Sequence, residues 1–280
     1  MSPHPVSSLL LTKISAAGYY STANDLTKIG RSILSSALLP PLQTRQWLRP
    51  VTHTASASLS IGRPWEIMRL AVPVSSGSTT TRLADLYTKQ GASGQYWTLL
   101  ALSPDHGVGY AVLIAGPQVA ATYAFLQDKL NAIVIGAVEQ AGREQALAGY
   151  GGKYTLPDNS VAEVVQRPGE PGLFVSKLVS NGTDVVGLLG PLIGVPSGAT
   201  LGVWLYPMGL AGKGRVAFRA SFGAVGLTAG ETCAAWGSLD VTRYGGLPVD
   251  LFVFDVGANG KAKALEVPVL GKTLKKGPGC

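Results

Sequence analysis

Apolar residues recur at helical spacing in Ser21–Leu38, STANDLTKIGRSILSSAL, where Leu26, Ile29, Ile33 and Leu34 share a face. Ser21 or Thr22 is placed to cap the first turn, and Asp25 lies where a helix N-terminus favours negative charge. Pro40-Pro41 ends this helix, and a second is expected from Pro41 through LQTRQWL to Pro50. Pro64–Val72, PWEIMRLAV, then reads as a strand and Ser75–Thr81 as a loop or hairpin tip. Strands follow at about 83–89, 95–103 and 108–115. The last two are apolar on both faces, the pattern of central strands in a covered sheet. The turn Ser103-Pro104-Asp105-His106-Gly107 makes them an antiparallel pair. After Pro117, QVAATYAFLQDKLNAIVIGAVEQAGREQAL reads as one long helix with a break at Gly136. It is apolar on more than one face, so it should be well covered.

The texture changes near Ala148–Tyr154, AGYGGKY. From there the pattern predicts only short strands and turns, near 152–156, 160–167, 172–180, 184–189, 201–206, 214–222, 239–244, 249–256 and 261–267. The last two flank Asn259-Gly260, a strong hairpin turn. The expectation is an α+β domain over 1–147, followed by an all-β antiparallel barrel or sandwich over 148–280.

Composition narrows the function classes. With 280 residues, 46% hydrophobic and 14% charged, the chain is a folded globular protein with a sizeable core. The net charge of +7 is spread evenly, with one tight cluster at Lys272, Lys275 and Lys276. A nucleic-acid binder concentrates its charge on a face or arm, so no nucleic-acid partner is expected. Two cysteines and three scattered histidines give neither a disulfide framework nor metal-ligand spacing, so no metal and no cofactor are expected. Two charge-free windows, Gly107–Gln127 and Val185–Gly212, are long enough to span a bilayer, but Gly and Pro interrupt both. No transmembrane segment is expected. The second window could instead form an exposed apolar hairpin. MSPHPVSSLLLTK has only a short apolar run and no charged leader, so no signal peptide is read and the chain is cytoplasmic as it stands.

Four segments together carry a family resemblance: AAGYYSTANDLTKIGRSIL, LLPPLQTRQWLRPVT, GRPWEIMRL and LADLYTKQGASGQYWTLLALSPDHGVGYAVLIAG. Over residues 15–145 the chain resembles fungal β-lactamase-like serine hydrolases, of the penicillin-binding-protein and class C β-lactamase superfamily. The region after 148 resembles the all-β domain such proteins carry at the C-terminus. The resemblance implies a partial antiparallel sheet packed against helices. It also implies a site built from Ser-x-x-Lys, Tyr-x-Asn and a Lys-Thr-Gly-like triplet on an edge strand. Lys89-Gln90-Gly91 stands at the position of that triplet, with Gln where Thr or Ser is usual.

The ligand-pocket candidates are therefore Lys89, Gln90, Gly91 and, on the next strand, Tyr96. Lys89 is expected on an edge strand, facing a cleft, with replacement cover for the short sheet from residues 1–15, the β-domain or a dimer partner. No Ser stands three residues before any Lys, and no Tyr-x-Asn occurs. Without a nucleophile beside its base, acyl-enzyme chemistry has no first step, so the serine hydrolase activity is expected to be absent and the catalytic residues remain unknown. Three roles stay open: binding, or complementing a separate chain; a cyclase or isomerase of secondary metabolism acting on an apolar small molecule without a covalent nucleophile; and a non-catalytic interaction module, as a homodimer or with another protein. A shortened copy of a longer protein is a fourth possibility. His106 reads as a solvated turn residue, Gly271-Lys272-Thr273 as surface tail, and Asn181-Gly182-Thr183 as a glycosylation sequon.

Overall fold

The computed structural model describes residues 19–226 and 233–277. They form two compact units, 1–140 and 141–280. The fold is α+β, built mostly of antiparallel strands with a few helices.

The first unit holds α1 (Ala23–Leu34), α2 (Pro41–Trp47), β1 (Thr52–His53), β2 (Leu59–Ile61), β3 (Glu66–Pro73), β4 (Thr81–Ser93), β5 (Tyr96–Ser103), β6 (Val108–Ala115) and α3 (Val119–Leu130). Thr22 caps α1, its hydroxyl accepting from Asp25 N at 3.2 Å, and Pro41 opens α2. The strands form one antiparallel sheet in chain order, β1 to β6. Alternation along β5 sorts the two faces. Leu100 and Leu102 pack with Leu48, Trp65 and Ile67, and with Ile33 and Leu34 of α1. Leu99 and Ala101 pack with Ala84, Leu86, Tyr123 of α3, and Ile135.

The long helix is not a uniform α-helix. After α3 comes a π-helical turn, Asn131–Ile135, and then α4 (Gly136–Tyr150), so the irregular turn ends at the expected glycine. The expectation of cover on several faces is corrected: Phe125, Ile133 and Leu147 are exposed. A second correction concerns 108–115. It is apolar on both faces, yet among the described strands β6 is the last of the sheet, with a neighbour on one side only. Cover above and below a strand says nothing about its lateral neighbours.

The second unit holds β7 (Gly152–Thr155), β8 (Val161–Val165), β9 (Leu173–Ser180), β10 (Thr183–Asp184), α5 (Val185–Leu192), β11 (Leu201–Gly212), β12 (Arg215–Ala224), α6 (Cys233–Gly237), β13 (Arg243–Tyr244), β14 (Leu247–Pro248), β15 (Leu251–Val256), β16 (Ala262–Val267) and β17 (Lys272–Lys276). Nine strands join in the order β10-β9-β11-β12-β15-β16-β17-β7-β8, and β8 also pairs with β9. That pairing closes an eight-stranded barrel, with β10 outside the ring. Of the two expected architectures, the barrel is present.

The barrel interior is filled. Tyr154, Leu205, Phe218, Phe252, Phe254, Leu265 and Leu274 are buried there. Tyr150, in the last turn of α4, stacks on Phe218 at 4.9 Å and Phe254 at 5.0 Å. The hairpin at Asn259-Gly260 forms as expected, with Gly260 at φ 75°. Two expectations fail. Residues 185–189 lie in helix α5, not a strand, because Asp184 caps the segment by accepting from Val186 N. Residues 272–276 are not a tail, because β17 pairs with both β16 and β7 and buries Leu274. No helix among the described residues is long and apolar enough to cross a membrane. The N-terminal residues expected to cover the sheet lie outside the described residues.

Candidate functional site

β4 is an interior strand, paired with β3 on one side and β5 on the other. The β3 partnership stops at Glu66, opposite Thr88. From Lys89 onward only β5 remains, with Lys89 opposite Leu100, Gln90 opposite Leu99 and Gly91 opposite Thr98. The expected edge strand is thus corrected: β4 has an open flank only where its neighbour has ended. Pro64, just before β3, has no N–H with which to prolong the ladder.

Glu66 fills that gap. Its Oε2 accepts from Gln90 N at 3.2 Å, in place of a missing backbone carbonyl. Its Oε1 forms an ion pair with Lys89 Nζ. The Thr88 hydroxyl donates to the Glu66 carbonyl at 2.7 Å. Gln90 Oε1 accepts from Tyr123 of α3 at 3.2 Å, and Tyr123 stacks on Trp97 at 5.1 Å. A Cβ at residue 91 would come within 2.8 Å of Thr98 Oγ1, so glycine leaves room for that hydroxyl. Among the described residues, no Ser or Thr hydroxyl is hydrogen-bonded to Lys89.

Tyr96 is not brought to the triplet. It is 68% exposed, opposite Ser93 at the hairpin tip. That is four residues along β4 from Lys89, about 13 Å at strand rise. Beside Gln90–Tyr123 lies a second uncharged pair, in which the Tyr110 hydroxyl donates to Oδ1 of buried Asn131, in the π turn, at 2.6 Å. Burial, with Tyr123 adding to it, pushes the Tyr110 phenol up to about 12. Burial, followed by the Glu66 charge, raises that of Tyr123. Both therefore act as donors at neutral pH.

A second polar cluster went unread in the sequence. Ser103 Oγ and His106 Nδ1 are 2.7 Å apart, and His106 Nε2 is 2.9 Å from Glu139 Oε2. Arg82 Nε donates to Glu139 Oε1 at 2.7 Å. Burial alone would raise the Glu139 carboxyl, but hydrogen bonds from His106 and Arg82 outweigh it and hold it at about 2. The His106 side chain is 7% exposed, so the solvated turn residue is corrected. The order hydroxyl, imidazole, carboxylate is that of a relay, with Ser103 buried at 1% exposure. The cluster ties the β5–β6 turn to β4 and to α4. Its only sequence signal was the spacing of Ser103 and His106 across a turn, in a chain where charges are scarce.

Two open grooves lie elsewhere. One of about 420 Å³ runs between α1 and the β5–β6 hairpin. Another of about 410 Å³ lies in the barrel unit, by Phe222, Thr242 and Asp250. Neither is lined by Lys89, Gln90, Gly91 or Tyr96. Among the described residues, no three His, Cys, Asp or Glu are grouped to hold a metal ion. Asn181 of the sequon sits on an exposed turn, its Oδ1 accepting from Lys272 Nζ at 3.0 Å.

Residues 142–277 match a family model described as "Beta-lactamase-like-like, C-terminal domain". A beta-lactamase-like protein of Arthroderma benhamiae is 28% identical, over 90% of this chain and 48% of that protein. A probable hydrolase, M10, of a Phoma species is 24% identical, over 65% of this chain and 30% of that protein. The beta-lactamase-like protein str6 of Strobilurus tenacellus is 23% identical, over 92% of this chain and 81% of that protein. The chain thus spans about half the length of the Arthroderma relative and less than a third of the Phoma one.

Proposed function

We propose, for a chain related along its length to fungal β-lactamase-like proteins, a non-hydrolytic role. In this reading the six-stranded sheet is a partial β-lactamase-like sheet. The Lys-Gln-Gly triplet is a remnant of the family's third motif, now used to finish a strand. The observation that carries the reading is the engagement of Lys89. Its ammonium is paired with Glu66, and among the described residues no hydroxyl is bonded to it. In the family the third-motif Lys supports the polar network around a Ser-x-x-Lys nucleophile and base, and here its ammonium is taken up by Glu66 instead; without a nucleophile beside its base no acyl-enzyme forms. The sequence adds that no Ser stands three residues before a Lys. The name of the Phoma relative, a probable hydrolase, makes hydrolysis the reading to be excluded.

The test is direct. Purified chain should hydrolyse neither nitrocefin nor p-nitrophenyl esters above a protein-free control, and a fluorophosphonate probe should label no serine. Turnover that a single Ser→Ala change abolishes overturns the proposal, and Ser103→Ala is the first change to make.

A second reading is a small-molecule isomerase or cyclase acting without a nucleophile. The adjoining pairs Gln90–Tyr123 and Tyr110–Asn131 support it, because uncharged donors and acceptors beside apolar walls orient an apolar ligand. An apolar molecule retained through purification, and lost in Gln90→Leu, favours this second reading.

A further inference from the structure

Asn-Gly occurs twice in the chain, at Asn181-Gly182 and Asn259-Gly260, and both copies sit in turns of the barrel unit. The dipeptide has a chemistry of its own. The glycine backbone nitrogen can attack the asparagine side-chain carbon, because no glycine side chain stands in the way. The fold treats the two copies differently.

At Asn259 both reacting groups are engaged elsewhere. Its Oδ1 accepts from Lys261 N at 3.1 Å, and Gly260 N donates to Gly257 O at 3.0 Å. Asn259 also keeps a negative φ. At Asn181 the turn joins β9 to β10, with Ser180 opposite Thr183. Asn181 and Gly182 have φ of 49° and 80°, the signature of a type I′ turn. Among the described residues, the Gly182 N–H has no acceptor. Asn181 is exposed, and its Oδ1 accepts from Lys272 Nζ at 3.0 Å. Lys272 is also paired with Asp158.

Ring closure asks little of this turn. A five-membered ring through Gly182 N and Asn181 Cγ fixes the Asn181 ψ at about −120°, that of the first central residue of a type II′ turn. That residue also needs a positive φ, which Asn181 already has. Only the peptide between the two residues has to flip. Gly182 then moves to a negative φ, which glycine adopts at no steric cost. The Lys272 ammonium stands where negative charge develops on Oδ1 during the attack.

We propose that Asn181 is a self-modification site, at which Gly182 N attacks the Asn181 side-chain carbonyl while Lys272 polarises it, and that Asn259 is protected from the same reaction. Gly182 N gives its proton to solvent hydroxide and bonds to Cγ. The Cγ–Nδ2 bond breaks, and the leaving nitrogen takes a proton from water to depart as ammonia. Water then opens the cyclic imide at either carbonyl, leaving aspartate or isoaspartate. An aspartate places a second carboxylate, beside that of Asp158, on Lys272. An isoaspartate adds a backbone carbon to a two-residue turn and disturbs the pairing of β10, which carries Asp184, the cap of α5.

The experiment ages the full chain in mildly alkaline buffer and maps aspartate and isoaspartate at both positions. The chain is produced without secretion, so that no sugar is added at the sequon. In the folded chain Asn181 should convert at least about tenfold faster than Asn259, and in urea the two rates should converge to within about threefold. Lys272→Met should slow conversion at Asn181 by at least about threefold and leave Asn259 unchanged. Lys272→Arg, which keeps a cation at Oδ1, should hold the parent rate. Asn259 reports any general loosening by either variant, since its own conversion would then rise. Equal rates at the two positions in the folded chain overturn the proposal, as does a ratio that persists in urea. Conversion at or above the parent rate in Lys272→Met, with Asn259 unchanged, also overturns it.

Discussion

The two units solve the same problem in opposite ways. The barrel unit closes on itself, so each of its eight ring strands has two neighbours and the interior is a single packed core. The sheet unit stays open. It buries its two faces under helices and finishes its backbone with side chains: Glu66 stands in for a missing strand partner, and Arg82, His106 and Glu139 pin the β5–β6 turn. Closure makes edges disappear, so stability then rests on filling the centre. An open sheet rests on polar repairs at the places where strands stop. At Lys89 the repair takes up both the ammonium and the Gln90 N–H.

The largest effect should come from emptying the barrel. Phe254 is fully buried among Tyr150, Tyr154 and Phe218. Phe254→Ala should cost about 3–5 kcal/mol. Hydrogen exchange should show the loss in barrel amides and leave those of β3 to β6 unchanged. Equal loss in both units would break the comparison.

A cut in α4 comes next. Arg143 donates to the carbonyls of Arg167 and Glu170 at 2.7 and 2.6 Å, and Ala146 packs on the barrel core. We expect 141–280 to unfold cooperatively as a fragment. A fragment beginning at 149 lacks Arg143 and should be weaker by about 3 kcal/mol in urea titration.

Polar repairs should respond to acid. Glu139 sits at about 2 in the folded chain against an ordinary 4.5. A depressed carboxylate contributes stability above its unfolded value and loses it as pH falls through the window from 4.5 toward 2. Glu139→Gln should lower stability near neutrality by about 1–3 kcal/mol and flatten the response of the sheet unit in that window. Thermal melts of both proteins across the pH range measure it.

The smallest effect belongs to Lys89. Its side chain is 45% exposed and that of Glu66 41%, so Lys89→Ala should cost less than about 1 kcal/mol. Glu66→Ala should cost more, because Gln90 N loses its acceptor as well. If the order reverses in chemical denaturation, the carboxylate is not completing the strand.

Local elements were largely legible. The Thr22 cap, the Pro41 start, the Ser103–Gly107 turn and the Asn259-Gly260 hairpin each rest on a few neighbouring residues, and each stands where its signal placed it. Trp97 packs on the sheet core while neighbouring Tyr96 is exposed, as alternation along a strand requires. β17 was missed because Lys-Thr-Leu-Lys-Lys offers only Leu274 to count, and β16 and β7 supply the reason for a strand. α5 was missed because an apolar run broken by Gly and Pro reads equally as strand, and the cap at Asp184 decides. Of the candidate site, the triplet's place on a strand was approximately readable, although β4 runs on to Ser93 where the pattern ended it at about 89. The partner of Lys89, Glu66, 23 residues earlier, was not.

By itself, the sequence determined the periodic elements, the turns between them, and the absence of a Ser-x-x-Lys pair along the chain. These depend on neighbours a few residues apart, where spacing and backbone preference act directly. Only the tertiary structure decided that β6 is the last described strand of its sheet, that β8 and β9 meet to close a barrel, and that Lys89 is held by Glu66. Each of these is a choice of lateral partner. Hydrophobic pattern reports what lies above and below a strand, but its side neighbours are chosen by backbone hydrogen bonds, which every residue type except proline can make alike.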